Sequence, residues 1–444
     1  MAQEIELKLS LTPTQVQALC ADERLGPPQH SQFLYNQYFD TPDLALNKAA
    51  CALRIRKTAT GFVQTLKTKG IAVGGLHQRG EWEVPIAAEQ LEWDAFPADI
   101  QPDATLKNRI QALFTTNFQR HLWNVRHGSS AIEMVLDEGH IRYAEHNINL
   151  CEVELELKEG DAADLFRFAR ELCQRYSLVP CDINKAERGY RLIVPQLSFY
   201  RPLQVAHYTG SAELMAALLQ DGLTRISRRW DQFCSSRDWW HLAVLLRQLQ
   251  GLNALSKAVP GLPAADSVIV QVQPLFQRLQ VCLGLFVDTT SNNRGLSQRL
   301  LKQQEHALYA QLAQVLGQNA LGNYLLDMGE FLYQTGTRLN VQQVPQLLQQ
   351  LAQDWQQNDN AQALAFIFNS LNDPRYATLN AWINQACVVQ AMADVNEFSR
   401  LVNDAESRAI LASWQRRLTV EQRTLQERQG QMSALNKESI WPRM

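Results

Sequence analysis

Near the start of the chain, Glu4-Ile5-Glu6-Leu7-Lys8 alternates ionic and apolar residues. In an extended strand, residues two apart share a face, so two carboxylates and an ammonium lie on one side and Ile5 and Leu7 on the other. The same alternation returns in Leu53-Arg54-Ile55-Arg56, Thr65-Leu66-Lys67-Thr68-Lys69, Arg79-Gly80-Glu81-Trp82-Glu83 and Cys151-Glu152-Val153-Glu154-Leu155-Glu156. Five strands therefore each carry an ionic face. Between the charges, Ile55, Leu66, Trp82, Val84, Val153 and Leu155 supply the apolar face a strand packs against a hydrophobic layer. Outward ionic faces would give an ordinary half-solvated sheet, whereas inward ones require a closed barrel with a wet, charged lumen. The sorting of charge favours the barrel. Arg54, Arg56, Lys67 and Lys69 are all positive and Glu152, Glu154 and Glu156 all negative, and like charges at i and i+2 repel on a solvent face with nothing gained.

A chain of 444 residues exceeds one compact core, so two domains are expected. Residues 1–195 combine short strands with turn signals such as Gly74-Gly75, Gly128-Ser129-Ser130 and Glu138-Gly139. Helices are expected from Thr12, which forms a capping box with Gln15, and over 104–114 and 162–176. Beyond Tyr200-Arg201-Pro202 the texture becomes glutamine- and leucine-rich with helical periodicity over 214–219, 239–252, 296–316, 344–355 and 381–401. Breaks fall at Pro260-Gly261-Leu262-Pro263, Asn292-Asn293-Arg294-Gly295 and Asp373-Pro374. The fold class is α+β, with strands in 1–200 followed by an all-α helical bundle in 201–444.

Net charge is −3, which excludes a global pull toward nucleic acid or acidic membranes, so any anion site has to be local. Eight cysteines form no CxxC pair and read as reduced thiols rather than a disulfide frame or zinc site. With no basic segment leading into an apolar stretch at the start and no run of about 18 apolar residues, a cytoplasmic location without a membrane span is expected.

The N-terminal pentapeptide resembles the ExExK motif of the CYTH group, the triphosphate tunnel metalloenzymes. The likeness continues through Tyr38-Phe39-Asp40-Thr41, Leu53-Arg54-Ile55-Arg56, Thr65-Leu66-Lys67, Arg79-Gly80-Glu81-Trp82-Glu83, Asp137-Glu138-Gly139, Glu152-Val153-Glu154-Leu155-Glu156 and Lys185-Ala186-Glu187-Arg188-Gly189. It spans about residues 1–200 and implies an eight-stranded antiparallel β tunnel that holds a triphosphate and a divalent metal. A helical domain after it resembles the CHAD arrangement of CYTH-CHAD inorganic triphosphatases. CHAD helices carry a histidine followed by many basic residues suited to polyphosphate. Here His241 and Arg247 remain, but most of the expected basic positions are Leu or Gln, and the only lysines from residue 201 onward are Lys257, Lys302 and Lys437. Arg225, Arg228, Arg229 and Arg237 read as a solvated helix face with some ion pairs, with an anion-binding or interdomain role as the alternative.

A triphosphate is a dense polyanion, and its site has to present cations held in place before it arrives. Lys8, Arg54, Arg56, Lys67, Lys69, Arg79, Arg120, Lys185 and Arg188 are the expected substrate-binding residues, with Arg126 and Arg142 as further candidates. Carboxylates in the same lumen would repel the substrate unless a divalent cation lay between them. Glu4, Glu6, Glu152 and Glu154, with Glu83, Glu133, Asp137 and Glu156 in addition, are the expected ligands, and hard oxygen donors suit Mg²⁺ or Mn²⁺. Glu4, Glu6, Lys8 and Glu154 are the expected catalytic set for in-line attack of water on a terminal phosphorus. The expected reaction is hydrolysis of inorganic triphosphate to diphosphate and phosphate, with polyphosphate as a further ligand and no nucleic acid or membrane partner. Two alternatives stay open: hydrolysis or cyclisation of an organic triphosphate, with Tyr38 or Trp82 recognising the organic group, and polyphosphate binding without catalysis.

Overall fold

The computed structural model describes residues 2–58, 60–194, 203–204, 211–259, 261–284, 294–335, 351, 357–373, 376–377, 379–380, 383, 388–402 and 404–432. Two compact units emerge: Met1–Tyr200 together with Leu325–Glu330, and Arg201–Tyr324 together with Phe331–Met444.

Strands β1 (Ala2–Ser10), β2 (His30–Asp40), β3 (Ala52–Thr58), β4 (Gly61–Val73), β5 (Leu76–Ile86), β6 (Gln111–His127), β7 (Ser130–Tyr143) and β8 (His146–Glu159) pair in the order β5-β4-β3-β2-β6-β7-β8-β1. A further antiparallel pairing of β1 with β5 closes the ring into an eight-stranded barrel, and a two-residue β9 (Val179–Pro180) adds to the far end of β1. Every pairing is antiparallel. Because the ring closes through β1, the Glu4-to-Lys8 segment has a partner on both sides: Glu4 stands opposite Arg79 and Lys8 opposite Glu154.

The alternation resolves as the barrel requires. Leu7, Leu9, Trp123, Met134, Leu136, Val153 and Leu155 point outward and are buried beneath helix α1 (Pro13–Cys20) and the longer helix that follows β8. On the other side of the ring Leu53, Ile55 and Leu66 pack outward against Phe96 and Trp82. Burying a leucine-sized side chain contributes about 1.5–3 kcal/mol, so these outer layers drive closure while the ionic faces are left inside.

Local chemistry sets the helices. At α1 the expected capping box of Thr12 and Gln15 forms, the Thr12 amide donating to Gln15 Oε1 at 3.2 Å. The helix expected over 104–114 is only one turn, α2 and α3 being the short segments Ala45–Lys48 and Ala104–Lys107. Asp103 caps α3 through the Leu106 amide at 2.8 Å, but Phe114-Thr115-Thr116 favours a strand and pairs with β2. Helix α4 (Ala162–Cys173) falls where expected, with Asp161 accepting from the Ala163 amide at 2.9 Å. Helix α5 (Lys185–Ile193) starts at Asn184, whose Oδ1 accepts from the Glu187 amide at 2.8 Å. It enters the barrel, and Ala186 and Tyr190 pack with the inward-facing Tyr38, Phe114 and Phe118. Part of the lumen is therefore a dry aromatic plug, where the sequence reading pictured an ionic lining throughout.

The second unit is helical: Ser211–Ser236, Trp239–Ala258, Asp266–Leu283, Arg294–Gly317, Ala320–Thr335, Asn358–Ser370, Val388–Leu401 and Ala405–Met432. These contain the expected 214–219, 239–252 and 296–316 and the second part of 381–401; apart from residue 351, the expected 344–355 lies outside the described residues. Of the arginines read as a solvated face, Arg225 is buried and pairs with Asp221 at 2.8 Å. None of the described helices is long and apolar enough to cross a membrane. The seven cysteines among the described residues are unbridged, and Cys387 lies outside them.

Candidate active site

The inward faces of the strands and the first turn of α5 enclose a cavity of about 210 Å³. Eight cations line it, Lys8, Arg54, Arg56, Lys67, Arg79, Arg120, Lys158 and Lys185, and so do seven carboxylates, Glu4, Glu6, Glu81, Glu83, Glu133, Glu154 and Glu156. Tyr38 and Asn184 complete the polar lining.

The charges interleave. Lys67 Nζ lies 2.9 Å from Glu4 and 3.0 Å from Glu81. Arg79 bridges Glu4 at 3.0 Å and Glu6 at 2.5 Å, and Lys8 bridges Glu6 at 3.1 Å and Glu154 at 3.2 Å. Burial alone would raise the carboxyl pKa of Glu4 and Glu6, but Lys67 and Arg79 hold Glu4, and Lys8 and Arg79 hold Glu6, below the usual range. Glu154 follows the same logic, with burial outweighed by Lys185, Lys8 and Arg120. Glu4, Glu6 and Glu154 are thus held ionised before any ligand enters, whereas burial pushes the carboxyls of Glu81 and Glu156 up.

One layer deeper, Arg120 grips Asp137 through two bonds of 2.7 and 2.6 Å and reaches Glu154 at 3.0 Å. Asp137, Glu152 and Glu154 bring carboxylate oxygens within 4.8 Å of one another, a spacing that suits a cation. That place is taken by the Lys185 ammonium, 2.7 Å from Asp137, 3.0 Å from Glu154 and hydrogen-bonded to Glu152. Arg188 closes the layer on Glu152 at 2.5 Å. Asp137, Glu152 and Arg188 do not line the cavity and act from behind it. Beyond them the Tyr38 and Phe114 rings stack at 4.7 Å, and Tyr190 meets Phe114 edge-on at 5.2 Å.

Arg56 differs from the other lining cations. It forms no ion pair among the described residues, and its Nε donates to the neutral Asn36 Oδ1 at 2.9 Å. Burial, then repulsion from Arg54 and Arg120, brings its guanidinium down to about 9. Glu83 lies near enough to offset part of this charge but makes no ion pair with it, so the half-buried guanidinium is available to an anion. Arg54 stands beside it on β3, 3.5 Å from Glu83 and 3.8 Å from Glu81, with a buried Nε that has no hydrogen-bond partner.

The cavity therefore gathers most of the expected site residues: Glu4, Glu6, Lys8, Arg54, Arg56, Lys67, Arg79, Glu83, Arg120, Glu133, Glu154, Glu156 and Lys185. The Lys69 side chain lies outside the described residues, and β4 bulges between Lys67 and Gly70. Arg126 and Arg142 are exposed and do not line the cavity. Trp82 packs on the outer face, so of the two aromatic candidates only Tyr38 reaches the lumen. Glu81, Lys158 and Asn184 line the cavity and escaped sequence reading. Glu81 continues the alternation of Arg79 and Glu83, and Lys158 extends that of Glu152-Glu154-Glu156 by one step, so both carried a periodic signal.

The donor chemistry fits a hard divalent cation. Oxygen ligands from Glu4, Glu6, Glu133 and Glu156 face the cavity, and no cysteine or histidine lines it among the described residues.

A closed antiparallel barrel around such a lumen defines the class, and the family model described as CYTH domain matches residues 2–190. Among curated proteins, the chain is similar to the inorganic triphosphatase of Haemophilus influenzae, 36% identical over 200 residues that make up 43% of this chain and 55% of the relative. The chain thus spans little more than half the length of that relative. Among solved structures it is similar to HpAC1 of Hippeastrum, described as an adenylyl cyclase candidate with a dominant triphosphatase activity, at TM-score 0.35 and 19% identity, covering 44% of this chain and 98% of that one. It is also similar to an adenylate cyclase candidate of Bacillus halodurans, at TM-score 0.28 and 21% identity, covering 42% and 98%.

Proposed function

We propose that the barrel hydrolyses inorganic triphosphate to diphosphate and phosphate with Mg²⁺ or Mn²⁺ as cofactor. The observation that carries this reading is the convergence of eight cations on one cavity, with Arg56 in no ion pair among the described residues. The named activity of the Haemophilus influenzae relative supports it.

Apart from Arg56, the cations are already paired, so a polyanion has to replace carboxylates as their partners. The carboxylates released in that exchange would then be free to hold a divalent cation. Glu4, Glu6, Glu133 and Glu156 would hold it, and when bound it supplies charge neutralisation on phosphate oxygens. Arg54 and Arg56 offer planar, two-pronged contacts to phosphate oxygens, and Lys8 and Lys67 act as point charges. Phosphoryl transfer depends chiefly on positioning and electrostatic stabilisation, and a lining fixed by ion pairs provides both. Glu6 and Glu154 are held ionised by their partners, so they are weak bases whose role is to orient the attacking water. Lys8 and the arginines stabilise charge on the departing diphosphate.

We assign residues 1–200 as the catalytic domain and 201–444 as a CHAD-like helical domain, on its helical content and the His241-to-Arg247 stretch. His241 Nδ1 lies 3.0 Å from Arg229 Nη1 within that unit.

Phosphate release from tripolyphosphate with Mg²⁺ or Mn²⁺, compared between the parent and the Glu4→Ala and Arg56→Ala variants, tests the reading. Loss of at least a hundredfold in both is expected, and full activity in both contradicts it. An organic triphosphate is the second reading, favoured by Tyr38 in the lining. One face of its ring is taken by Phe114, which leaves little stacking surface. Faster release from thiamine triphosphate or ATP than from tripolyphosphate would establish that alternative.

A further inference from the structure

Lys158 lies two residues beyond Glu156 on β8 and shares its inward face. Its Nζ is 2.7 Å from Glu156 and 3.4 Å from Glu133, and these two glutamates stand opposite each other across β7 and β8. The other cations paired with carboxylates of the lining are locked in, with side chains at most 16% exposed. Lys158 is 44% exposed. An ammonium with that much access to water can leave its partners at small cost, whereas withdrawing Lys8 or Lys185 would strand buried carboxylates. Glu133 and Glu156 are thus the carboxylates of the cavity most readily freed for a new cation.

We propose that Lys158 is a resident competitor for the divalent cation: it neutralises Glu133 and Glu156 while the cavity is empty of metal and swings into solvent when the metal takes its place. This rests on the reading that the cavity takes a divalent cation. Lys158 therefore sets the metal concentration at which the site fills, and it keeps two glutamates from repelling each other in the metal-free protein.

The test is Mn²⁺ binding to the substrate-free full chain, read from the electron paramagnetic resonance signal of free Mn²⁺. Lys158→Gln is expected to lower the dissociation constant about two- to fivefold, the scale of a partly exposed ion pair. Lys158→Arg, which keeps the charge, is expected to bind like the parent. In a Glu156→Gln background, Lys158→Gln is expected to bring a clearly smaller gain. Unchanged or weaker binding by Lys158→Gln overturns the proposal, as does a gain of equal size in the Lys158→Arg variant or in the Glu156→Gln background. Absence of Mn²⁺ binding in parent and variant alike overturns it too. If tripolyphosphate hydrolysis then persists the proposed function survives, and if hydrolysis is also absent that reading fails with it.

Discussion

Replacing Lys185 by Met probes the buried charge layer on which the site rests. Asp137 and Glu152 have essentially no solvent exposure, and the Lys185 side chain is 6% exposed. Methionine keeps most of the volume and removes the ammonium that bonds Asp137, Glu152 and Glu154. Removing one partner of a buried ion pair costs about 3–5 kcal/mol, because the remaining charge is left uncompensated. Three carboxylates lose a partner here, which points to the upper end, while Arg120 on Asp137 and Arg188 on Glu152 retain part of the compensation. A loss of about 4 kcal/mol follows. For a unit of about 200 residues, that lowers Tm by roughly 8–16 °C. Thermal melting followed by the infrared β-sheet band reads the barrel selectively, since every described strand lies within residues 2–180. Acidification should narrow the deficit. Lys185 is one of the cations that hold the Asp137 and Glu154 carboxyls low, so without it they take up protons at higher pH than in the parent and the variant loses less as pH falls. A Tm within 2 °C of the parent at neutral pH would refute the reasoning.

Other expectations follow from single features. His77, fully buried on β5, is depressed from 6.5 to about 4 by burial and then by the charge of Lys8. The unfolded chain therefore binds a proton that the folded chain refuses between these values, so stability is intact above pH 6.5 and falls by up to about 3 kcal/mol as pH drops toward 4. Urea midpoints across this window should show a shallower decline in His77→Gln, and an unchanged slope would rule the account out. Asp40 is buried and accepts from the amides of Thr41, Leu46 and Asn47 at 2.7, 2.8 and 2.9 Å, so Asp40→Ala should destabilise by about 3 kcal/mol in urea unfolding. A Cβ at Gly189 would overlap the Phe114 ring in the plug, and Gly189→Ala should lose about 1–3 kcal/mol in the same assay.

The ionic strand faces were legible because alternation in a strand is local: Glu4, Glu6 and Lys8 share a side whatever the rest of the chain does. Which residues those faces would meet was not. The opposition of Lys67 and Glu81 depends on the β4–β5 register, and the slip between Lys67 and Gly70 is set by pairing rather than by either segment alone. Lys185 and Arg188 are charged residues on an amphipathic helix, a pattern that ordinarily marks a solvated face, and only the barrel's open end turns that helix inward. Asp137 was named as a ligand candidate on likeness alone, and its partner proves to be the ammonium of Lys185 together with Arg120. The aromatic plug was hidden for a similar reason, since Tyr38, Phe114 and Tyr190 come from three distant segments. The helix expected over 104–114 failed where β2 offered Gln111, Ala112 and Phe114 a pairing edge.

The most direct test of the central claim is a crystal soaked with tripolyphosphate and Mn²⁺, with the metal located by its anomalous scattering. The account predicts a triphosphate inside the barrel in contact with Arg54 and Arg56, and manganese bound to carboxylates among Glu4, Glu6, Glu133 and Glu156. Triphosphate bound only outside the barrel, or manganese confined to carboxylates that do not line the cavity, would contradict it.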